Sequence, residues 1–358
     1  MRLRLPQVVI GGKGVLAEAG PATAALGIKS ALVVTDPNVR AAGAADDVVR
    51  SLRGNGIAVS VFDGVRPEPA RPVAEACRDA FRAERADGLV AVGGGSVIDV
   101  AKAAAACLAN PLPSVYGLGK VAGHLPSIVA VPTTPGTGSE VSSHASIIEP
   151  DEGRKYAVSG PGLVPAAVLL DPAALESLPW LVASACSADA LLHGVEAYLA
   201  VAATPFSDAL ALDGIRLVCE GMRSRSTSMI ATGGLHTGLA MACAGAGTVH
   251  ALGYPLTTRF GLSHGLANAL VAPAALASAS SSARVGELAA VLRTGSLAEG
   301  VSGLLTEAGI RLGLRSYGVT AADVERLARD ALHYEPIRRN SPLPAGETDL
   351  AAAYVAAL

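Results

Sequence analysis

Four short runs of Val, Ile and Leu in the first half of the chain end in Gly, Asp or Pro punctuation: SALVVTDP (30–37), IAVSVFDG (57–64), GLVAVGGGS (88–96) and SIVAVPTT (127–134). Their apolar residues are consecutive rather than alternating, which marks strands covered on both faces. Between them lie Ala-, Arg- and Glu-bearing stretches with helical spacing, such as PVAEACRDAFRAE (72–84). Strand, helix and strand in succession predict a parallel sheet with helices around it. The opening MRLRLPQVVIGGKG has only a short apolar run before Gly11, so it is expected to be a first strand rather than a secretion signal. After VPAAVLLDP (164–172) the strand-like runs fade, and long Ala/Leu segments broken by Gly, Pro and Ser take over. The expected fold is therefore an α/β domain with a parallel sheet over residues 1–175 and an all-helical domain over 176–358. The division falls near Asp171-Pro172, because Pro disfavours helical geometry in the residue before it.

Two of these strands end in loops suited to a ligand. In GLVAVGGGSVIDVAKA a strand runs through Gly93, Gly94 and Gly95 into a helix. Glycines let a ligand approach the backbone, and the free N–H groups of a helix N-terminus bind phosphate. Ser96 is expected to cap that helix. The loop is not a GxGxxG fingerprint, since the third glycine of that pattern would fall at Ile98, and no Lys-Ser/Thr follows to make a Walker loop. A plain strand-to-helix turn is the other reading. Asp99 and Lys102, at i and i+3, read as a surface helix pair. The segment VPTTPGTGSEVSS (131–143) crowds Thr133, Thr134, Thr137 and Ser139 at the end of the next strand. Open parallel sheets bind ligands there, although a Ser/Thr-rich solvent turn has the same composition. Asp36 closes a third strand, where a carboxylate accepts hydrogen bonds from a ribose diol and repels a 2′-phosphate, or simply shapes an Asp-Pro turn.

From Ser226 to Thr258 the chain has no Asp, Glu, Lys or Arg. That length would span a bilayer, but glycines and two histidines interrupt it, so a buried helix beside a polar site is expected and a membrane span is not. The 28 basic and 31 acidic residues nearly balance and aromatics are only 3%, which argues against a nucleic-acid partner. Five scattered cysteines without a CxxC pair fit a reduced, cytoplasmic chain. In SADALLHGVEAYLA (187–200), Asp189 and His193 share one helix face, as a hydrogen-bonded pair or as two donors to one ion. HALGYPLTTRFGLSHG (250–265) adds His250 and His264 in apolar surroundings, where an unpaired imidazole is costly. The resulting His₃Asp set suits Fe(II) or Zn(II), and an expanded coordination leaves room for a substrate oxygen. His236 reads as a core imidazole.

Taken in order, these motifs make the chain resemble the iron-containing, or group III, alcohol dehydrogenases. GGGSVIDVAK looks like that family's pyrophosphate loop and PTTPGTGSEVSS like its nicotinamide loop. DALLHGVEAY looks like its first metal motif, HALGYPL and SHGLANAL like those of its remaining histidine ligands, and NSPLPAGETDLAAAYVAAL like its ending. The resemblance runs through nearly the whole chain. It implies an oxidoreductase that uses NAD(H) or NADP(H) with Fe(II) or Zn(II), acts on a small-molecule alcohol or aldehyde in a cleft between the domains, and assembles as a homo-oligomer, a dimer. It carries the metal ligands over to Asp189, His193, His250 and His264. It carries cofactor contacts over to Asp36, Gly94, Gly95, Ser96, Asp99, Thr133, Thr134, Thr137, Ser139, Lys155 and Leu175. Lys155, in EGRKYAV, would meet ribose hydroxyls or be a solvated turn lysine. The implied reaction is hydride transfer between nicotinamide and the alcohol carbon, with the metal acting on the oxygen.

Three places depart from the family pattern. Tyr254 stands where relatives often keep a second histidine, so it is a candidate hydrogen-bond or proton donor, or a packing residue. His144, in SEVSSHASI, is expected near the substrate, where relatives place a different residue. The region 221–240 is shorter than in typical members. His144 and Arg259 are expected to make the pocket polar, which suits an aldehyde bearing a hydroxyl, carboxylate or phosphonate better than a plain alkanal. The alternatives are glycerol dehydrogenase, maleylacetate reductase, a dehydroquinate-synthase-like lyase and a non-catalytic dinucleotide sensor. Few Lys or Arg flank the ligand set, against the lyase, and its completeness argues against the reductase and the sensor.

Overall fold

The computed structural model describes residues 4–358, which form two compact units, Arg4–Leu178 and Pro179–Leu358. The first contains strands β1 (Val8–Gly11), β2 (Ser30–Val34), β3 (Ala58–Phe62), β4 (Gly88–Gly93), β5 (Ser127–Pro132), β6 (His144–Glu149), β7 (Arg154–Ser159) and β8 (Ala167–Leu170). Its helices are α1 (Ala19–Ala25), α2 (Pro37–Ala41), α3 (Ala44–Gly54), α4 (Arg71–Ala83) and α5 (Gly95–Ala106). Six strands make one sheet in the order β1-β8-β5-β4-β2-β3, with every pairing parallel.

The consecutive apolar runs are explained by two cores. Leu32, Val34, Leu89 and Ala91 face α4 and α5, where they meet Cys77, Phe81 and Ile98. Their neighbours Ala31, Val33, Val90 and Val92 face the other way, onto Val48 and Leu52 of α3. Side chains of a strand point alternately to opposite faces, so a strand covered twice must be apolar throughout. Each fully buried Val or Leu contributes about 1.5–3 kcal/mol. The edge strands β1 and β3 are mostly exposed or half-buried, and their burial patterns break accordingly.

The strand order places a switch point between β2 and β4. From β2 the chain continues outward to β3, then returns to β2's other side and continues through β4 to β5. Ligands of open α/β sheets bind at such a point, outside the carboxyl ends of the strands. Asp36 follows β2 and Gly94 follows β4, so both stand at that end.

The structure corrects two local expectations and adds one element. Helix α5 starts at Gly95 with Gly94 as its N-cap, because Val97 and Ile98 N–H both bond the Gly94 carbonyl; Ser96 lies inside the first turn and caps nothing. Strands β6 and β7 form an antiparallel hairpin that the sequence did not announce, since their apolar residues are interleaved with Ser, Glu, Arg and Lys. Lys155 therefore sits in a strand opposite Ile148, and it is buried rather than solvated in a turn.

The second unit is all helical: α6 (Trp180–Leu199), α7 (Pro205–Ser224), α8 (Thr227–Ala244), α9 (Thr248–Phe260), α10 (His264–Ala277), α11 (Ala283–Val291), α12 (Leu297–Glu307), α13 (Val324–Leu332), α14 (Glu335–Arg339) and α15 (Glu347–Ala357). Local sequence sets several of the boundaries. Thr204 and Ser207 form a capping box before α7, with Pro205 at the first helical position. The Ser226 hydroxyl accepts from Met229 N–H to start α8. Among the described residues, no helix is long and apolar enough to cross a membrane. His236, on α8, is not a core imidazole: its Nδ1 lies 2.8 Å from Asp213 Oδ2 on α7 and the pair is partly exposed.

Candidate metal centre and dinucleotide loops

Asp189 and His193 stand one turn apart in the middle of α6, where every residue from Ser187 to Leu199 is buried. His250 lies in the first turn of α9, and His264 opens α10. The Asp189 carboxylate is the focus of all three imidazoles. Its Oδ2 is 3.7 Å from His193 Nε2, and its Oδ1 is 3.5 Å from His250 Nε2 and 3.8 Å from His264 Nε2. The His193 and His250 rings stack at 4.9 Å and 17°. Ligand atoms of Asp189, His193 and His250 all lie within 4.8 Å of one another; His264 joins them through its distance to Asp189 but falls outside that tighter group.

These separations are too long for good hydrogen bonds. They match two donors sharing one ion, since ligands each about 2.1 Å from a tetrahedral metal stand about 3.4 Å apart. His250 Nε2 is buried with no hydrogen-bond partner, which is costly without a cation. The donors are nitrogen and oxygen with no thiolate, a set suited to Fe(II) or Zn(II). The residues present therefore fit the metal the sequence implies.

The charges are strongly coupled. Burial alone would raise the Asp189 carboxyl's pKa, but His193, His264 and His250 pull it well below the ordinary carboxylate range. Burial also disfavours a charged His250, yet Glu196 and Asp189 outweigh it and raise its pKa to about 10. A cation at Nε2 would take the place of that proton.

Tyr254, one turn after His250, packs on the centre. Its ring lies parallel to His264 at 5.3 Å and 9°, edge-on to His250 at 6.5 Å, and tilted against Tyr334 at 4.6 Å. Arg259, expected to make the substrate pocket polar, is instead ion-paired with Asp330 of α13.

Two polar residues at the centre escaped the sequence reading. Glu196 is buried three residues after His193, and Asn268 is buried four residues after His264. Asn268 Nδ2 donates to Asp189 Oδ1 at 2.8 Å and lies 3.2 Å from His264 Nε2. A signal was present: each is a polar residue at helical spacing from a candidate ligand histidine, within a largely apolar helix.

In the first unit the glycine and threonine loops touch. A Cβ on Gly94 would come within 2.8 Å of Thr134 Oγ1, so only glycine permits this approach. Thr134 Oγ1 is buried without a hydrogen-bond partner, while Thr137 Oγ1 lies 3.4 Å from Glu140 Oε2. Thr133, Ser139 and Glu140 are buried, which overturns the reading of this segment as a solvent turn. Asp99 accepts from Ser139 Oγ at 2.5 Å and from Ser146 N–H at 2.9 Å. Lys102 is no surface partner of Asp99: it is fully buried and donates to the carbonyls of Ser139, Ser142 and His144. Asp36 Oδ1 caps α2 by accepting from Asn38 and Val39 N–H. Lys155 is paired with Glu68, and Leu175 is fully buried at the end of a short 3₁₀ turn.

His144 begins β6, with Nδ1 3.4 Å from Ser143 Oγ. Burial, reinforced by the Lys102 charge, lowers its pKa from 6.5 to about 4. The unfolded chain then binds the extra proton between those two values, so stability is lost as pH falls through that window. His144→Gln is expected to flatten this loss by up to about 3 kcal/mol at the acid end. Thermal unfolding from neutral pH down to the acid limb checks it; an unchanged slope contradicts it.

Residues 6–172 match the family described as iron-containing alcohol dehydrogenase, and residues 183–358 match the C-terminal family of Fe-containing alcohol dehydrogenases. The chain is 34% identical to long-chain-alcohol dehydrogenase 1 of Geobacillus thermodenitrificans, covering 99% of this chain and 96% of that protein. It is 32% identical to 1,3-propanediol dehydrogenase of Klebsiella pneumoniae, covering 98% and 97% respectively. A solved structure described as 1,3-propanediol oxidoreductase superposes with a TM-score of 0.92 at 30% identity, covering 100% of this chain and 99% of that one.

Proposed function

The chain belongs to the iron-containing alcohol dehydrogenase family and is an oxidoreductase of alcohols and aldehydes; from that premise we propose that it interconverts a small polar alcohol and its aldehyde, with NAD(H) as hydride partner and Fe(II) held by Asp189, His193, His250 and His264. The observation that carries the metal reading is the partnerless His250 Nε2 buried 3.5 Å from the Asp189 carboxylate. Bound Fe(II) supplies Lewis acidity, which lowers the pKa of an alcohol and polarises a carbonyl. In the oxidative direction the alcohol carbon gives a hydride to NAD⁺ and its oxygen gives up a proton, yielding aldehyde, NADH and H⁺. Zn(II) suits the same donors and is the alternative metal.

The chain's own residues set the cofactor's place. The N–H groups at the start of α5 receive the pyrophosphate. Thr134 offers a buried hydroxyl beside them, and Asp36 keeps its second oxygen for the ribose diol. That carboxylate disfavours the 2′-phosphate of NADP(H). Asp36→Ser keeps a capping oxygen for α2 and removes the charge. It is expected to tighten NADPH binding about tenfold, about 1.4 kcal/mol, relative to NADH. Fluorescence titration of both cofactors checks this, and an unchanged preference contradicts it.

Tyr254 and His144 are the proposed substrate-side residues, Tyr254 as a hydroxyl donor fixed by its stack on His264 and its tilted contact with Tyr334. His144 is neutral at pH 7 and Arg259 is already paired, so neither brings a free positive charge. Recognition by hydrogen bonds then ranks hydroxyl-bearing aldehydes first, with carboxylate- or phosphonate-bearing ones second. Likeness to a 1,3-propanediol dehydrogenase supports this order. NADH oxidation by the Fe(II)-loaded protein should be faster with 3-hydroxypropanal than with butanal or a short anionic aldehyde. Equal or better use of butanal sinks the polar-substrate reading, and tight NADH binding without turnover of any aldehyde favours the sensor. Exposed Val8 and Val9 on the edge strand β1 support a homo-oligomer, expected to sediment as a dimer.

A further inference from the structure

We infer that Glu196 is a positioning residue of the metal centre, holding His250 with its proton on Nδ1 and its Nε2 lone pair turned toward Asp189. The inference rests on the reading of the Asp189, His193, His250 and His264 cluster as a metal site.

Glu196 is 4% exposed, and α6 carries it on the same face as Asp189 and His193, seven and three residues earlier. Both of its oxygens are committed to the first turn of α9. Oε1 accepts from Val249 N–H at 2.6 Å, and Oε2 is hydrogen-bonded to His250 Nδ1. Helix α9 has Gly247 as its N-cap and no side-chain cap of its own. A Cβ on Gly247 would come within 2.9 Å of Glu196 Oε1, so the missing side chain leaves room for the carboxylate. Glu196 thus serves as a cap delivered from another helix, at the end of α9 where the helix dipole favours negative charge.

The chemistry follows from acceptor counting. A carboxylate accepts at both oxygens and donates at neither. His250 must then keep its proton on Nδ1, and the nitrogen left for a metal is Nε2, which faces Asp189 Oδ1 at 3.5 Å. Glu196 also ties His250 to α6, the helix that carries Asp189 and His193, so the donors from two helices are held in one register.

Glu196→Gln tests this. Its single amide oxygen satisfies either Val249 N–H or the His250 ring, not both. If the oxygen takes Val249, the amide nitrogen donates to Nδ1 and forces the proton onto Nε2. The probe is Co(II) alone, added to metal-free full-length protein and followed by equilibrium dialysis and the visible ligand-field absorption. Wild type is expected to bind one equivalent, and Glu196→Gln to bind about 10–100-fold more weakly with shifted bands. Glu196→Asp keeps the charge but shortens the reach, so its affinity should fall between the two; it carries the test should the Gln variant fail to fold. Wild-type affinity and bands in the folded variants overturn the inference, even if their metal-free unfolding temperature drops. A wild-type chain that binds no Co(II) overturns the metal-site reading and this inference with it.

Discussion

Asp189→Asn is expected to empty the centre of metal and to slow aldehyde reduction by about 10³-fold or more. The side chain keeps its shape, and Asn268 retains an oxygen to bond at 2.8 Å, so the helical unit should still fold. What is lost is the charge on which three imidazole Nε2 atoms converge at 3.5–3.8 Å. Lewis-acid stabilisation of a developing alkoxide contributes several kcal/mol, and about 4 kcal/mol corresponds to about 10³ in rate. The same carboxylate holds its pKa low only because those imidazoles surround it, and an amide cannot return the attraction. Metal content and NADH-dependent turnover should fall together. Near wild-type turnover with metal retained would mean that Asp189 is not a ligand.

Lys102→Met should damage the other half of the molecule. The ammonium is fully buried and binds three carbonyls, those of Ser139 and Ser142 in the threonine-rich segment, the latter at 2.7 Å, and that of His144 just after it at 2.8 Å. Burial lowers its pKa to about 8, while Asp99 and Glu140 work to keep the charge. Met fills similar volume but leaves three buried carbonyl acceptors and two carboxylates without their cation. Breaking a buried charged contact by removing one partner costs about 3–5 kcal/mol. A lower unfolding midpoint together with weaker NADH binding is expected, because the lysine pins the loop carrying Ser139 and His144. A melt within a degree of wild type would contradict this role.

The sheet was legible because its strands are covered on both faces, so runs such as GLVAVG carry an unbroken apolar signal. The β6–β7 hairpin was not, since Ile147 and Val158 face the core while polar neighbours interrupt the pattern. Lys102 looked like a surface residue because spacing reports which helix face a side chain shares, not whether a later loop will cover it. The candidate ligand cluster could be picked out in the sequence because His and Asp are rare in an apolar domain. For Glu196 and Asn268 the helical spacing is a signal, but their roles are not legible, because their partners, Val249 N–H and Asp189, lie 53 and 79 residues away in sequence. Taken singly, His250 and His264 are ambiguous between core residues and metal donors; the Asp189 carboxylate, 3.5 and 3.8 Å from their Nε2 atoms, relates the two.

On the proposed reading, Asp189, His193, His250 and His264 hold one catalytic metal ion. The most direct measurement is anomalous diffraction at the iron edge from crystals of anaerobically purified protein, with metal content determined on the same batch. One iron per chain is expected, with a single anomalous peak in contact with the Asp189 carboxylate and the Nε2 atoms of the three histidines. Active protein with no metal at that position, or with its metal bound elsewhere, would contradict it.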